Sequence, residues 1–133
     1  WSAAENAGFT TGKPWLKING NYREVNAERE MADDKGILAF WKYMISLRKS
    51  EPTLREGDYY PAYMRDNIYA FERVLGGKRL LSVCNMTGKE VKLPGQLSDW
   101  SQVLACNYDD VTDTMRPFEF RLMEEEIDDD LGE

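Results

Sequence analysis

The spacing of apolar residues changes once along this chain, at Pro52, and that change decides what the chain can fold into. Before it, in the segment KGILAFWKYMISLRKS at 35–50, Ile37, Phe40, Trp41, Met44, Ile45 and Leu47 recur at the spacing of one helical face. Leu38 and Tyr43 widen the apolar stripe beyond what a surface helix needs, so the predicted helix contacts more than one neighbour. Asp33 and Asp34 offer N-cap oxygens, Arg48 and Lys49 suit the negative end of the helix dipole, and Pro52 drives Glu51 out of helical geometry.

After Pro52 the period falls to two. Short alternating or β-rich runs at 59–64, 68–74, 79–86, 89–93, 101–108 and 118–123 are separated by turn formers, among them Asp66-Asn67, Gly76-Gly77, Thr87-Gly88 and Pro94-Gly95. Gly76-Gly77 between two such runs predicts a two-residue hairpin. The expectation is an α+β chain: a loop-rich segment and one broad helix over 1–50, an all-β antiparallel sandwich over 51–124, and an acidic tail over 125–133.

Charge bears on partners through its location. The formal net charge is −7, yet the last ten residues, EEEIDDDLGE, hold seven of the 24 acids and no base, and the remaining acids balance the 17 Lys plus Arg. A neutral body with an acidic terminus predicts no nucleic-acid partner, and the close-set carboxylates predict a solvated, frayed end. No apolar run approaches the length that crosses a bilayer and no leader opens the chain, so no membrane partner and a soluble, cytoplasmic location are expected.

The chain contains no histidine, which excludes Ser-His-Asp, Cys-His and His-containing zinc chemistry within it. Cys84 and Cys106 sit in apolar contexts and read as small hydrophobes, and the Asn85-Met86-Thr87 sequon reads as a chance match. Glu5, Glu24, Glu28, Glu30, Asp58, Glu72 and Glu90 stand among other polar residues, with no sign of the burial a general acid needs. Trp15, Tyr22, Tyr59, Tyr60, Tyr63 and Trp100 are the aromatics that a sugar ring would stack on, and they define the rival reading of a carbohydrate-binding module. The search predicts no catalytic residue, no cofactor-binding residue and no metal ligand in this chain. A third reading, a stand-alone interaction domain, stays open at this point.

Particular residues then carry a resemblance. WSAAENAGFTTGKPWLKINGNY at 1–22 resembles the segment after the last catalytic strand in glycoside hydrolase family 13, on its oligo-1,6-glucosidase, α-glucosidase and trehalose-6-phosphate hydrolase branch. VNAERE at 25–30, FWKYMISLRK at 40–49, the run at 67–94 and MRPFEFRLM at 115–123 are similar to successive family segments, the last to its closing strand. Met86 stands where the family favours an aromatic, and Phe120 where it favours a small residue.

The resemblance implies a parent enzyme with a (β/α)8 barrel and a retaining mechanism on α-glucosides, in which one carboxylate attacks and another serves as acid and then base. Those carboxylates are expected upstream of Trp1, so none is carried onto this chain. It also implies that residues 1–50 end the barrel, with NAGFTTGKPW at 6–15 linking last strand to last helix. The expected partners are the barrel domain and its glucoside substrate. Without the barrel, Ile37, Phe40, Trp41 and Met44 would be exposed, so residues 35–50 are expected to fold back onto the sandwich or to self-associate.

Overall fold

The structure, a computed structural model, describes residues 1–98, 100 and 102–126. The chain divides into two compact units, one formed by Trp1–Leu47 and one beginning at Arg48.

In the first unit, residues 5–8 make an irregular turn, followed by helices α1 (Ala27–Met31) and α2, which runs on to cross the boundary (Ile37–Ser50). The predicted helix is therefore present and begins at Ile37. Asp33 accepts from the Lys35 N–H at 2.9 Å just ahead of it, and the Glu30 carboxylate accepts from the Leu38 N–H at 3.3 Å, capping the first turn from α1. The segment 1–32, expected to be loop-rich, also includes the short helix α1, which Asn26 caps by accepting from the Arg29 N–H at 2.9 Å. No residue of α2 is buried, and Ile37 and Trp41 are 74% and 62% exposed.

The second unit opens with α3 (Pro52–Glu56), which the sequence reading also missed. Pro52 does end α2, but its fixed φ suits the first position of a helix, and Glu51 caps the new one by accepting from the Thr53 N–H at 2.9 Å. Seven strands follow: β1 (Asp58–Arg65), β2 (Ile68–Leu75), β3 (Lys78–Asn85), β4 (Val91–Lys92), β5 (Gln102–Cys106), β6 (Thr114–Met115) and β7 (Phe120–Glu126). They form an antiparallel five-stranded sheet in the order β1-β2-β3-β7-β5 and a two-stranded sheet of β4 and β6.

The predicted hairpin is present, and a second follows the turn at Asp66-Asn67. Leu75 pairs with Lys78 across Gly76-Gly77, with Gly76 at φ 56°. Arg65 pairs with Ile68 across Asp66 and Asn67, whose φ of 51° and 64° fit a type I′ turn.

Cross-strand partners share a face of the sheet. On one face Ile68 and Ala70 of β2, Leu81 and Val83 of β3 and Met123 of β7 meet Leu93, Leu97 and Met115 of the smaller layer, making one buried cluster. The sandwich is thus lopsided, a full sheet against two short strands and a turn. α3 lies against β2 and β3, with Leu54 buried.

Part of the expected acidic tail is strand instead. β7 extends through Glu126, because Lys78 bonds Glu124 at 2.9 Å and Arg79 reaches Glu125 at 3.5 Å. Cross-strand cations neutralise the first acids of the run, while residues 127–133 lie outside the described residues. Lys78 also bonds Glu51 at 2.8 Å, so one ammonium joins the α3 cap to the sheet.

Gly57, between α3 and β1, sits where a Cβ would stand 2.6 Å from the Thr53 carbonyl oxygen and 2.9 Å from that of Val74. Both are backbone atoms and cannot swing aside. Gly57→Ala is expected to destabilise the chain by about 1–3 kcal/mol in urea unfolding; an unchanged midpoint would show that α3 shifts freely on the sheet.

Candidate functional site

Two places concentrate unusual chemistry, one in each unit. In the sheet unit, Glu119 is fully buried and its carboxylate collects four donors. Arg121 Nε donates to Oε1 at 2.7 Å, the Arg116 backbone N–H and Nε donate to Oε2 at 2.6 and 3.1 Å, and Cys106 Sγ lies 3.6 Å from Oε1. Arg121, 2% exposed, also donates to the Thr114 carbonyl at 2.6 Å. Arg116 stacks 4.0 Å above the Tyr108 ring and bonds the Asp110 carboxylate at 2.5 Å. Asn85 completes the corner: buried, it donates from Nδ2 to the Lys89 and Arg116 carbonyls at 2.7 and 2.8 Å and accepts from Thr87. The sequon is accordingly a structural amide whose nitrogen is already bonded.

Burial pushes the Glu119 carboxyl upward in pKa, but the hydrogen bonds from Arg121 and Arg116 outweigh it and hold the group down to about 2. A carboxylate that stays ionised donates no proton, and one without exposed surface reaches no anomeric carbon. The cluster is a brace. Burial also pushes the Cys106 and Cys84 thiols up, so neither is an activated thiolate.

Of the aromatics weighed as sugar platforms, Trp15 and Tyr22 line one cavity of the first unit, and those of the sheet unit are not brought together. Tyr59 pairs with Arg73 and, with Tyr69 and Phe71, lines the face opposite the buried cluster, its ring 5.3 Å from Phe71 and its hydroxyl 3.2 Å from that of Tyr69. Tyr60 pairs with Glu72 on the other face, where Tyr63 packs on the core and bonds Asp66 at 2.8 Å. Trp100 also packs on the core and is covered by Arg79 at 4.9 Å. Of the acids weighed as acid and base, Glu30 caps α2 and Glu72 pairs with Arg79 at 3.4 Å. Glu5, Glu24 and Glu28 belong to the first unit, and Asp58 and Glu90 to the second.

The second place is the opening loop. Asn6, Ala7 and Gly8 hold φ of 54°, 56° and 77°, a left-handed run in which only the last residue is glycine. Each non-glycine there costs on the order of 1 kcal/mol, so something holds it. The Asn6 amide donates to the Thr10 and Gly12 carbonyls at 3.1 and 3.0 Å, Ala7 is fully buried, and Ser2 donates its backbone N–H to the Ala7 carbonyl at 3.0 Å. The loop borders a cavity of about 580 Å³ whose lining includes Trp1, Phe9, Trp15 and Tyr22. Trp1 is anchored at its rim by its indole N–H, 3.1 Å from the Val25 carbonyl.

Comparison with known proteins gives these two places a setting. Residues 1–57 match the family model of the alpha-amylase catalytic domain, and about nine-tenths of the chain aligns with enzymes named trehalose-6-phosphate hydrolase and oligo-1,6-glucosidase, so the chain belongs to the alpha-amylase family, glycoside hydrolase family 13. The trehalose-6-phosphate hydrolase of Bacillus subtilis (strain 168) is 35% identical over 129 residues, 90% of this chain and 23% of that protein. The oligo-1,6-glucosidase of Bacillus cereus is 35% identical over 130 residues, again 90% of this chain and 23% of the relative. Among solved structures, trehalose-6-phosphate hydrolase from Bacillus licheniformis superposes with a TM-score of 0.83 at 31% identity, covering 93% of this chain and 24% of that one. Isomaltulose synthase from Klebsiella sp. LX3 superposes at 0.84 and 33% identity with the same coverage. The chain thus spans about a quarter of the length of its relatives, and its sheet matches their C-terminal β-sandwich region.

Because Glu119 titrates lower in the folded state than its ordinary 4.5, its stabilisation is present above pH 4.5 and lost as pH falls toward 2. Glu119→Gln, which leaves Arg121 buried without its partner, is expected to cost about 3–5 kcal/mol at pH 7. That cost should shrink as pH falls from 4.5 to 2. Urea midpoints against pH for both proteins check this, and a cost independent of pH would show that Glu119 acts through shape rather than charge.

Proposed function

We propose that this chain is the C-terminal portion of an α-glucosidase-type retaining glycoside hydrolase acting on α-linked glucosides, and that it supports the catalytic barrel without supplying its carboxylates. Residues 1–50 would end the barrel domain as loop and final helix, residues 51–124 would form the C-terminal sandwich, and the acidic segment 125–133 would follow. The reading takes its substrate class from relatives named for hydrolysing trehalose-6-phosphate and for oligo-1,6-glucosidase activity.

The observation that carries the supporting role is the employment of the chain's own acids. A retaining pair needs two carboxyl groups about 5–5.5 Å apart and open to substrate. Here the buried acid, Glu119, is clamped by two arginines, and Glu51, Glu72 and Glu124 are each committed to a lysine or arginine. The exposed apolar side chains of α2, Ile37 and Trp41 foremost, favour the barrel domain as the partner of the first unit, and self-association through residues 35–50 as what replaces it in the isolated chain.

The purified 133-residue chain is expected to release no glucose from isomaltose or p-nitrophenyl α-glucoside. Turnover that survives purification to homogeneity would place a catalytic pair inside this chain and overturn the supporting role.

A further inference from the structure

Asn19-Gly20 is the one place in the chain where glycine follows asparagine, and the turn that holds the pair leaves both of its reactive groups free. Both residues are exposed. The Asn19 backbone carbonyl accepts from the Tyr22 N–H at 3.2 Å, but among the described residues neither the Asn19 side-chain amide nor the Gly20 N–H has a hydrogen-bond partner. The other asparagines differ. Asn6, Asn26, Asn85 and Asn107 bond backbone carbonyls through their amides, and Asn21 and Asn67 are followed by Tyr22 and Ile68, whose side chains screen the backbone nitrogen. Nor does the backbone require Gly20. Its φ lies outside the left-handed region, and a Cβ built on it would meet nothing within 4 Å. What glycine supplies is access, because no side chain keeps its nitrogen from the Asn19 side-chain carbonyl. The two groups belong to neighbouring residues, so they meet without a cost of association. Their reaction needs neither the barrel nor a substrate.

We propose that Asn19-Gly20 is a self-modifying site that deamidates through a succinimide and thereby opens the turn ahead of α1. The Gly20 nitrogen gives its proton to hydroxide and attacks the side-chain carbonyl carbon of Asn19. The new N–C bond closes the ring as the C–Nδ2 bond breaks, and the amide nitrogen leaves as ammonia after taking a proton from water. Water then adds to one of the two ring carbonyls. Opening at the side-chain carbonyl gives aspartate, and opening at the main-chain carbonyl gives isoaspartate, with the chain rerouted through the former side chain. No electron is transferred, and the sum is asparagine plus water to acid plus ammonia. Isoaspartate adds a carbon to the backbone and sets the Asn19 main-chain carbonyl outside it as a carboxylate, so the turn loses its bond from the Tyr22 N–H. Tyr22 in turn orients Asn26, whose amide donates to the Tyr22 carbonyl at 3.0 Å while its oxygen caps α1, and the change thus reaches the helix.

The test incubates the folded chain in mildly alkaline buffer beside a Gly20→Ala variant, a fresh Asn19→Asp variant and a sample of the parent unfolded in urea, and follows each by peptide mass mapping and by enzymatic methylation of isoaspartate. The peptide that holds Asn19 and Gly20 is expected to gain the mass of an amide-to-acid exchange, mostly as isoaspartate, before any other asparagine peptide of the folded chain does. Gly20→Ala is expected to slow this by about tenfold with an unchanged circular dichroism spectrum. Amide exchange at Tyr22 is expected to quicken in the aged chain and to stay near the fresh parent in Asn19→Asp, which carries the charge without the extra backbone carbon. A folded chain that stays unmodified while the unfolded sample reacts overturns the proposal, because the fold then shields the pair. So does a Gly20→Ala variant that deamidates at the parent's rate, or an isoaspartate-containing chain whose Tyr22 amide exchanges as before.

Discussion

The Glu119 carboxylate, buried between two guanidinium groups, is the interaction on which the sheet unit depends. Taking the charges of Glu119 and Arg121 out of water is expensive, and the cost is offset only where the geometry leaves no lone pair idle. Here Arg121 occupies one oxygen and Arg116 the other, through both its backbone and its side chain. Because Arg121 also holds the Thr114 carbonyl and Arg116 the Asp110 carboxylate, the cluster fastens β7 to β6 and to the loop after β5. Asn85 adds the end of β3 through the Arg116 carbonyl. β6 has only two residues and its ladder is too short to hold it, so the second layer of the sandwich keeps its place by side-chain charge rather than by sheet pairing.

The two units are closed to different degrees. The sheet unit turns polar groups inward, with one face closed by the small layer and the other partly by α3, although Met86 and Phe118 stay 63% and 65% exposed. The first unit leaves more large apolar side chains in water, with Phe9, Trp15, Leu16, Ile37 and Trp41 all more than 60% exposed. Contiguous apolar surface of this kind marks a contact site. The chain matches about a quarter of its relatives' length and reproduces their backbone over that stretch at a TM-score above 0.8.

Much of this was legible in the sequence where a single period governs. Helix α2, the hairpins at Asp66-Asn67 and Gly76-Gly77, and β1 to β3 follow from spacing and turn chemistry, because their registers are set by near neighbours. The short elements were not legible. α1 and α3 have five residues each, too few to show a helical period, and only their caps at Asn26 and Glu51 announce them. β7 was cut short because a run of acids reads as solvated until Lys78 and Arg79 are seen across the ladder. Glu119 was not singled out by the sequence. Its spacing of two from Arg121 marks one strand face, but nothing local reveals that the face is closed, which depends on Met115 and Leu97 arriving from elsewhere in the chain.

Positive φ is held by different means in different places in this molecule. Asp66 and Asn67 adopt it because a type I′ turn between right-twisted strands requires it, and the seven residue pairs of the β1–β2 ladder offset the strain. Asn6 and Ala7 adopt the same conformation with no ladder beside them. There the turn is held by one amide, one buried methyl and the neighbouring Ser2 rather than by a ladder. The same strain is thus offset in two ways, by many paired residues in the sheet and by a few local contacts in the opening loop.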